Sequence, residues 1–197
     1  MSLNLNARYR TDSSTESSAL DEKALSAARS GHREALAAML CSLQDPWYRM
    51  SLSLLGDADL ARDAAQETAA RFVQQLPSFR GDSQLRTWSL GICLNVVREL
   101  RRDRRGHLSL EDAAEPPGNW DSQPPPDVAA EHAEDCQSLR SVLAALPDRQ
   151  REALVLRFFE GLSVRQTARA MRCAQGTVKA TVHQALRALR RKLRQFA

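Results

Sequence analysis

Apolar residues along this 197-residue chain recur at three-to-four spacing, and nothing alternates with period two for long, which predicts helices rather than strands. The first stretch, residues 1–20, is rich in Ser, Thr and Asn and lacks the large apolar groups that offset the entropy of ordering, so it reads as a tail. From Asp21, the positions Leu25, Ala28, Leu36, Met39 and Leu40 mark a helical stripe, with Ser30-Gly31 as a local break. A second helix is expected from Pro46 to Leu55, closed by Gly56. A third, capped by Asp57 or Asp59, runs to Leu76 and stops at Pro77. Its inward stripe is Ala61, Ala65, Ala69, Phe72 and Leu76, which leaves Asp63, Gln66, Glu67 and Arg71 pointing elsewhere. A fourth helix, from about Gln84, buries Leu85, Trp88, Ile92 and Val96 and finishes in a basic run from Arg98 to Arg105.

The composition then shifts. Residues 106–133 hold five prolines, several acids and almost no large apolar group, which predicts an extended linker. Beyond it, Cys136 to Leu146 reads as a helix, Pro147-Asp148 restarts one through Phe159, and Gly161-Leu162-Ser163 turns into another. The fold class expected is all-α: two small helical domains, 21–105 and 134–197, joined by a flexible linker.

Charge sharpens this picture. The formal charge is +4, but six Lys or Arg and no acid lie between Ala174 and Ala197, whereas eight acids and no Lys or Arg lie between Gly106 and Asp135. A polyanion responds to such local clusters rather than to the total. Cys41, Cys93, Cys136 and Cys173 are scattered, with no Cys-x-x-Cys pair, and His32, His107, His132 and His183 lack a paired acid or nucleophile at recognisable spacing. Reduced structural thiols are expected, with no metal, no cofactor and no catalytic residue. No apolar run approaches the ~20 residues of a membrane span, and the expected location is the cytoplasm.

Near the C-terminus, Ser163 can cap a short helix to about Ala170, followed by the turn Met171-Arg172-Cys173-Ala174 and a longer helix from about Gln175 to Leu193. That is a helix-turn-helix arrangement, whose second helix lies in the DNA major groove. Val178, Val182, Ala185, Leu189 and Leu193 share its inward face, so Lys179, Ala180, His183, Gln184 and Arg187 remain for the groove. Lys179 and the helix N-terminus suit phosphate oxygens; Gln184 and His183 carry donors and acceptors that can read base edges. Periodicity alone leaves alternatives open, since a generic helical hairpin has the same pattern and basic amphipathic helices also bind membranes and proteins.

Two separate stretches resemble one family. The segment LPDRQREALVLRFFEGLSVRQTARAMRCAQGTVKATVHQALRALRRKL resembles the C-terminal, −35-reading domain (region 4) of sigma factors. The earlier GDADLARDAAQETAARFV and FRGDSQLRTWSLGICLNVVRELRR resemble the N-terminal sigma domain (region 2), which binds core polymerase and reads the −10 element. With these two domains and no larger one between them, the chain is similar to an extracytoplasmic-function (group 4) sigma factor of the sigma-70 family. The resemblance implies a factor for promoter-specific transcription initiation, not an enzyme. Its partners would be the β and β′ subunits of core RNA polymerase, promoter DNA and an anti-sigma factor.

Residue by residue, the resemblance implies that Asp63, Gln66 and Glu67 dock on polymerase clamp helices. It implies that Arg80, Gly81, Asp82, Ser83 and Asn95 surround a captured base of the melted −10 strand, and that Arg86, Arg98, Arg101 and Arg102 hold backbone phosphates. For −35 DNA it implies Gln175, Gly176, Thr177, Lys179, Ala180, Thr181, His183, Gln184 and Arg187. Trp88 fits either core packing or strand opening, and the acidic linker either threads a basic polymerase channel or is a plain tether. Departures are visible. Ala64, Ala65 and Ala69 stand where larger apolar residues are common, Gly91 where a basic residue is common, and Ala180, Thr181 and Gln184 differ in the recognition helix. These put clamp-helix packing, one phosphate contact and the preferred −35 sequence in doubt. The rival readings are a stand-alone regulator, which binds duplex tightly without polymerase, and an anti-sigma or scaffold protein that binds polymerase without reading DNA, which leaves the basic recognition helix unexplained.

Overall fold

The computed structural model describes residues 25–108 and 143–196, and every regular element among them is a helix. The chain divides into two compact units, Met1–Ser42 and Leu43–Ala197. In the first, helix α1 (25–29) closes in a turn where the Ser30 hydroxyl donates to the Ser26 carbonyl at 2.6 Å and Gly31 takes φ 88°, a conformation glycine adopts without steric cost.

Helix α2 (Arg33–Leu55) follows and continues into the second unit, with Pro46 inside it. The separate helix expected from Pro46 therefore does not exist. A proline removes one backbone bond and costs about 3 kcal/mol. Trp47, Met50 and Leu54, directly after it, are fully buried, and at roughly 2 kcal/mol each that burial outweighs the break.

In the second unit, α3 (Ala58–Gln75) is capped by Asp57, whose carboxylate accepts from the Asp59 and Leu60 amides at 3.0 and 3.1 Å. It ends in a 3-10 turn, Leu76–Ser78, at Pro77. Helix α4 (Leu85–Leu108) lies against α3 on one side and against α6 (Val164–Met171) on another. This coverage, together with α2, whose Trp47 indole donates to the Ser89 hydroxyl at 3.1 Å and whose Ser51 hydroxyl lies 3.3 Å from the Cys93 thiol, explains why Thr87, Ser89, Leu90, Cys93, Leu94 and Val97 are buried in addition to Ile92 and Val96 of the expected stripe, while Leu85 and Trp88 are only half-buried. Trp88 closes an aromatic chain: ring centroids lie 5.4 Å apart for Trp47–Phe72, 5.6 Å for Phe72–Trp88 and 4.8 Å for Phe79–Trp88. The core-packing reading of Trp88 accounts for this position.

Helix α5 (Asp148–Leu154) passes into a π turn, Val155–Phe159, then α6 and the long α7 (Gln175–Phe196). Ser163 makes a full capping box with Gln166: its hydroxyl accepts from the Gln166 amide at 3.2 Å, and its own amide donates to the Gln166 side chain at 2.8 Å. Arg172 takes a left-handed φ of 54° at the turn into α7. Leu143, Leu146, Leu154 and Ala185 form the local core, with Val182, Leu186 and Leu189 against it. Buried Arg151 donates to the carbonyls of Leu143, Ala144, Leu146 and Leu54, and burial holds its pKa below the ordinary guanidinium value.

The tail 1–20 lies outside the described residues, as do the linker beyond Leu108, the helix expected from Cys136 up to residue 142, and the Leu193 side chain. No helix among the described residues is long and apolar enough to cross a membrane.

Candidate functional site

Three surfaces carry the residues singled out by the sequence. On α3, Asp63, Gln66 and Glu67 are all exposed, on the side away from buried Ala61, Ala64, Ala65, Thr68 and Phe72. They line a groove of about 460 Å³ between α3 and α4. Within it Arg71 bridges two acids, at 2.6 Å to Glu67 and 2.7 Å to Glu99, and these hydrogen bonds raise its pKa. Glu99 and Asp103 also line this groove, although the sequence set them inside a basic run on another helix. Ala64 and Ala65 are buried despite their size, and Ala69 is half-buried.

The second surface is the outer face of α7. Val178 and Ala185 are buried and anchor the helix, while Gln175, Gly176, Thr177, Lys179, Ala180, His183, Gln184 and Arg187 are exposed and Thr181 is half-buried. Gln184, Arg187 and Arg191 line a shallow groove of about 370 Å³ with Gln150 and Ala188. Polar groups that combine donors and acceptors with cations on one exposed helix face suit a nucleic-acid duplex.

The third surface surrounds the loop before α4. Arg80, Gly81 and Asp82 are exposed, Ser83 and Asn95 half-buried, and Gly81 has φ 77°. The four arginines diverge. Arg102 is exposed, but Arg86 donates to the Glu160 carbonyl at 2.8 Å and to its carboxylate at 2.6 Å. Arg98 donates to both Glu152 oxygens, at 3.0 and 2.6 Å. Arg101 reaches the Leu54 carbonyl at 3.0 Å and Asp148 at 3.1 Å, with Glu152 at 3.8 Å. Around the loop itself, Gln166 donates to Gln84 at 2.7 Å and Arg169 donates to the Asp82 carbonyl. Thus α5, the π turn and α6 cover much of the surface that the sequence assigned to melted DNA.

The acids Asp148, Glu152 and Glu160 were not singled out by sequence reasoning. Asp148 and Glu152 read in sequence only as helical positions, and Glu160 as the residue after that helix; burial identifies Glu152 and Glu160, whose side chains are 2% and 4% exposed, whereas Asp148 is 27% exposed and is identified by its arginine partners. Burial pushes the Glu160 carboxyl up, against the pull of Arg86 and Arg49.

Two family models match the chain: "Sigma-70 region 2" over residues 42–106 and "Sigma-70, region 4" over residues 136–189. Among curated relatives, the ECF RNA polymerase sigma factor SigC of Mycobacterium tuberculosis is 32% identical over 179 residues, covering 91% of this chain and 94% of the relative. The ECF RNA polymerase sigma factor EcfG of Rhodopseudomonas palustris is 36% identical over 135 residues, covering 68% and 72%. Among solved structures, the sigma factor RpoE in complex with the anti-sigma factor NepR from Bartonella quintana aligns at a TM-score of 0.70 with 25% identity, covering 80% of this chain and 96% of that one.

Proposed function

Because the chain belongs to the extracytoplasmic-function group of the sigma-70 family, we propose that it directs promoter-specific transcription initiation as the sigma subunit of RNA polymerase. The observation that carries this reading is the presence of region 2 and region 4, in that order, in one chain. Either module alone fits a polymerase-binding scaffold or a stand-alone DNA reader; together they fit a factor that must grip the enzyme and two promoter elements.

On this reading Asp63, Gln66 and Glu67 dock on the polymerase clamp, where an acidic helix face complements a basic partner. The set Arg80, Gly81, Asp82, Ser83, Arg86, Asn95, Arg98, Arg101 and Arg102 binds the melted −10 strand, returning hydrogen bonds and charge for the cost of unstacking a base. The exposed face from Gln175 to Arg187 reads the −35 duplex. The protein acts by binding and strand selection in the cytoplasm, with no covalent chemistry, and an anti-sigma factor restrains it.

The test is transcription in vitro with purified core polymerase and a library of promoters. Start-site-specific transcripts that require the chain are expected. Their absence with active core, or tight duplex binding by the free chain without any core complex, overturns the reading.

A further inference from the structure

We propose that Arg71, anchored by Glu99 of α4, is a positioning residue for polymerase docking: it holds the Glu67 carboxylate in the orientation that the core enzyme meets. The inference rests on the assignment of Glu67 to the docking surface.

Arg71 joins two helices through two different nitrogens. Its Nε donates to Glu67 Oε1 at 2.6 Å within α3, and its Nη1 pairs with Glu99 Oε2 at 2.7 Å on α4. A guanidinium suits this bridge, because its donors point along fixed directions and one cation can serve two carboxylates at once. Hydrogen bonds to these two acids are also the leading causes of the raised Arg71 pKa. The α3 contact is to Oε1, so the second oxygen of Glu67, whose side chain is 48% exposed, can meet a cation of a partner.

Glu99 sets the sign of the site. Glu67 paired with Arg71 alone is a neutral couple, which draws a basic partner weakly. With Glu99 added, two carboxylates and one guanidinium leave a net charge of −1, and Asp63 and Asp103 line the same groove. In sequence Glu99 and Asp103 interrupt the basic run from Arg98 to Arg105, and their four-residue spacing puts both on the α4 face that lines the groove. Restoring the charge that Arg71 removes from the docking surface explains an acid at position 99.

Arg71 contributes order. A glutamate side chain has several rotatable bonds, and immobilising one such side chain at an interface lowers affinity by roughly two- to tenfold. Arg71 is the least exposed of the three, at 30% against 48% for Glu67 and 41% for Glu99. It lies between the two acids as a strut, so Glu67 is already ordered in the free protein. Pairs this exposed add little to folding stability, and variants that remove them keep the fold.

The test is a fluorescence titration of the labelled full-length chain with purified core polymerase. The double variant Arg71→Met, Glu99→Gln removes one positive and one negative charge, so the groove keeps its net charge and loses only the bridge. It is expected to bind core about fivefold more weakly than wild type, with helix content and thermal unfolding unchanged. Wild-type affinity in this variant overturns the proposal. The same two substitutions in a Glu67→Gln chain are expected to add no further loss, because the residue they orient has already lost its charge. A second fivefold loss there shows that Arg71 and Glu99 act independently of Glu67, and it also overturns the proposal. Glu67→Gln alone reads the docking assignment separately. Reduced affinity in it beside an intact double variant removes the positioning role and leaves Glu67 in place, whereas wild-type affinity in it removes both.

Discussion

Arg98 on α4 and Glu152 on α5 meet fork to fork across 54 residues of sequence, with both carboxylate oxygens engaged and the Glu152 side chain 2% exposed. Such a pair is costly to break from one side, because the remaining charge stays where water cannot fully reach it. Arg98 is 22% exposed and can rehydrate in part, which moderates the loss. Glu152→Gln is expected to lower urea-unfolding stability by about 2 kcal/mol, and the double variant Arg98→Met, Glu152→Leu to restore most of it. A double-variant loss equal to the sum of the losses in Arg98→Met and Glu152→Leu alone would show that the pair is not coupled.

The acidic groove yields a prediction for polymerase. Glu67→Arg reverses a charge on an exposed face and sets a cation beside Arg71, which keeps Glu99 as its partner. Affinity for core polymerase should fall at least tenfold while helix content stays unchanged. Intact affinity in a fluorescence titration would remove Glu67 from the docking surface.

Burial sets the pH response of Glu160. Its carboxyl is held above the ordinary range, so the folded chain binds that proton more tightly than the unfolded chain. The contribution is full below the unfolded carboxylate pKa and is lost as pH rises through the folded value, since over that window the folded state carries more protons. Arg86 at 2.6 Å limits this rise without cancelling the desolvation. Glu160→Gln keeps an acceptor for Arg86 and has no proton to lose, so its stability should decline less as pH rises from the ordinary carboxylate range through the raised folded value. An identical slope in wild type and variant would contradict this.

The thiols should separate by burial. Cys93 is fully buried and its pKa is pushed up to about 11, while Cys41 is exposed. Native alkylation at neutral pH, read by peptide mass mapping, should modify Cys41 promptly and Cys93 only after denaturation. Rapid labelling of Cys93 in the folded protein would mean that the α4 core opens easily.

The capping box at Ser163 orients the recognition unit. Ser163→Ala removes the acceptor for the Gln166 amide and should cost about 1 kcal/mol of stability. It also loosens the Gln166 link to Gln84. Thermal unfolding measures the loss, and a stability equal to wild type would show that the cap is dispensable.

Much of this protein was legible from local signals. Asp57 and Ser163 act as helix caps as their sequence context predicts, Asp63, Gln66 and Glu67 lie outside the buried stripe of α3, and the face from Gln175 to Arg187 is turned outward. The passage of α2 through Pro46 was not legible, because the propensity to break there is opposed by burial of Trp47, Met50 and Leu54, whose packing neighbours lie far along the chain. The second buried face of α4 was hidden for the same reason: its hydrophobic stripe records the contact with α3, whereas Gly91 records the contact with α6 only by lacking a side chain.

Periodicity, capping residues and turn chemistry act over a few residues, so the chain by itself determined where α3, α6 and α7 form, the outward faces of α3 and α7, and its two-module order. Which cation meets which anion was decided only by tertiary structure. Arg105–Asp148, Arg98–Glu152 and Arg86–Glu160 are separated by 43, 54 and 74 residues, and in sequence an arginine that will face a phosphate looks no different from one that faces a carboxylate. Long-range packing brings the charges together, and desolvation then makes their pairing matter.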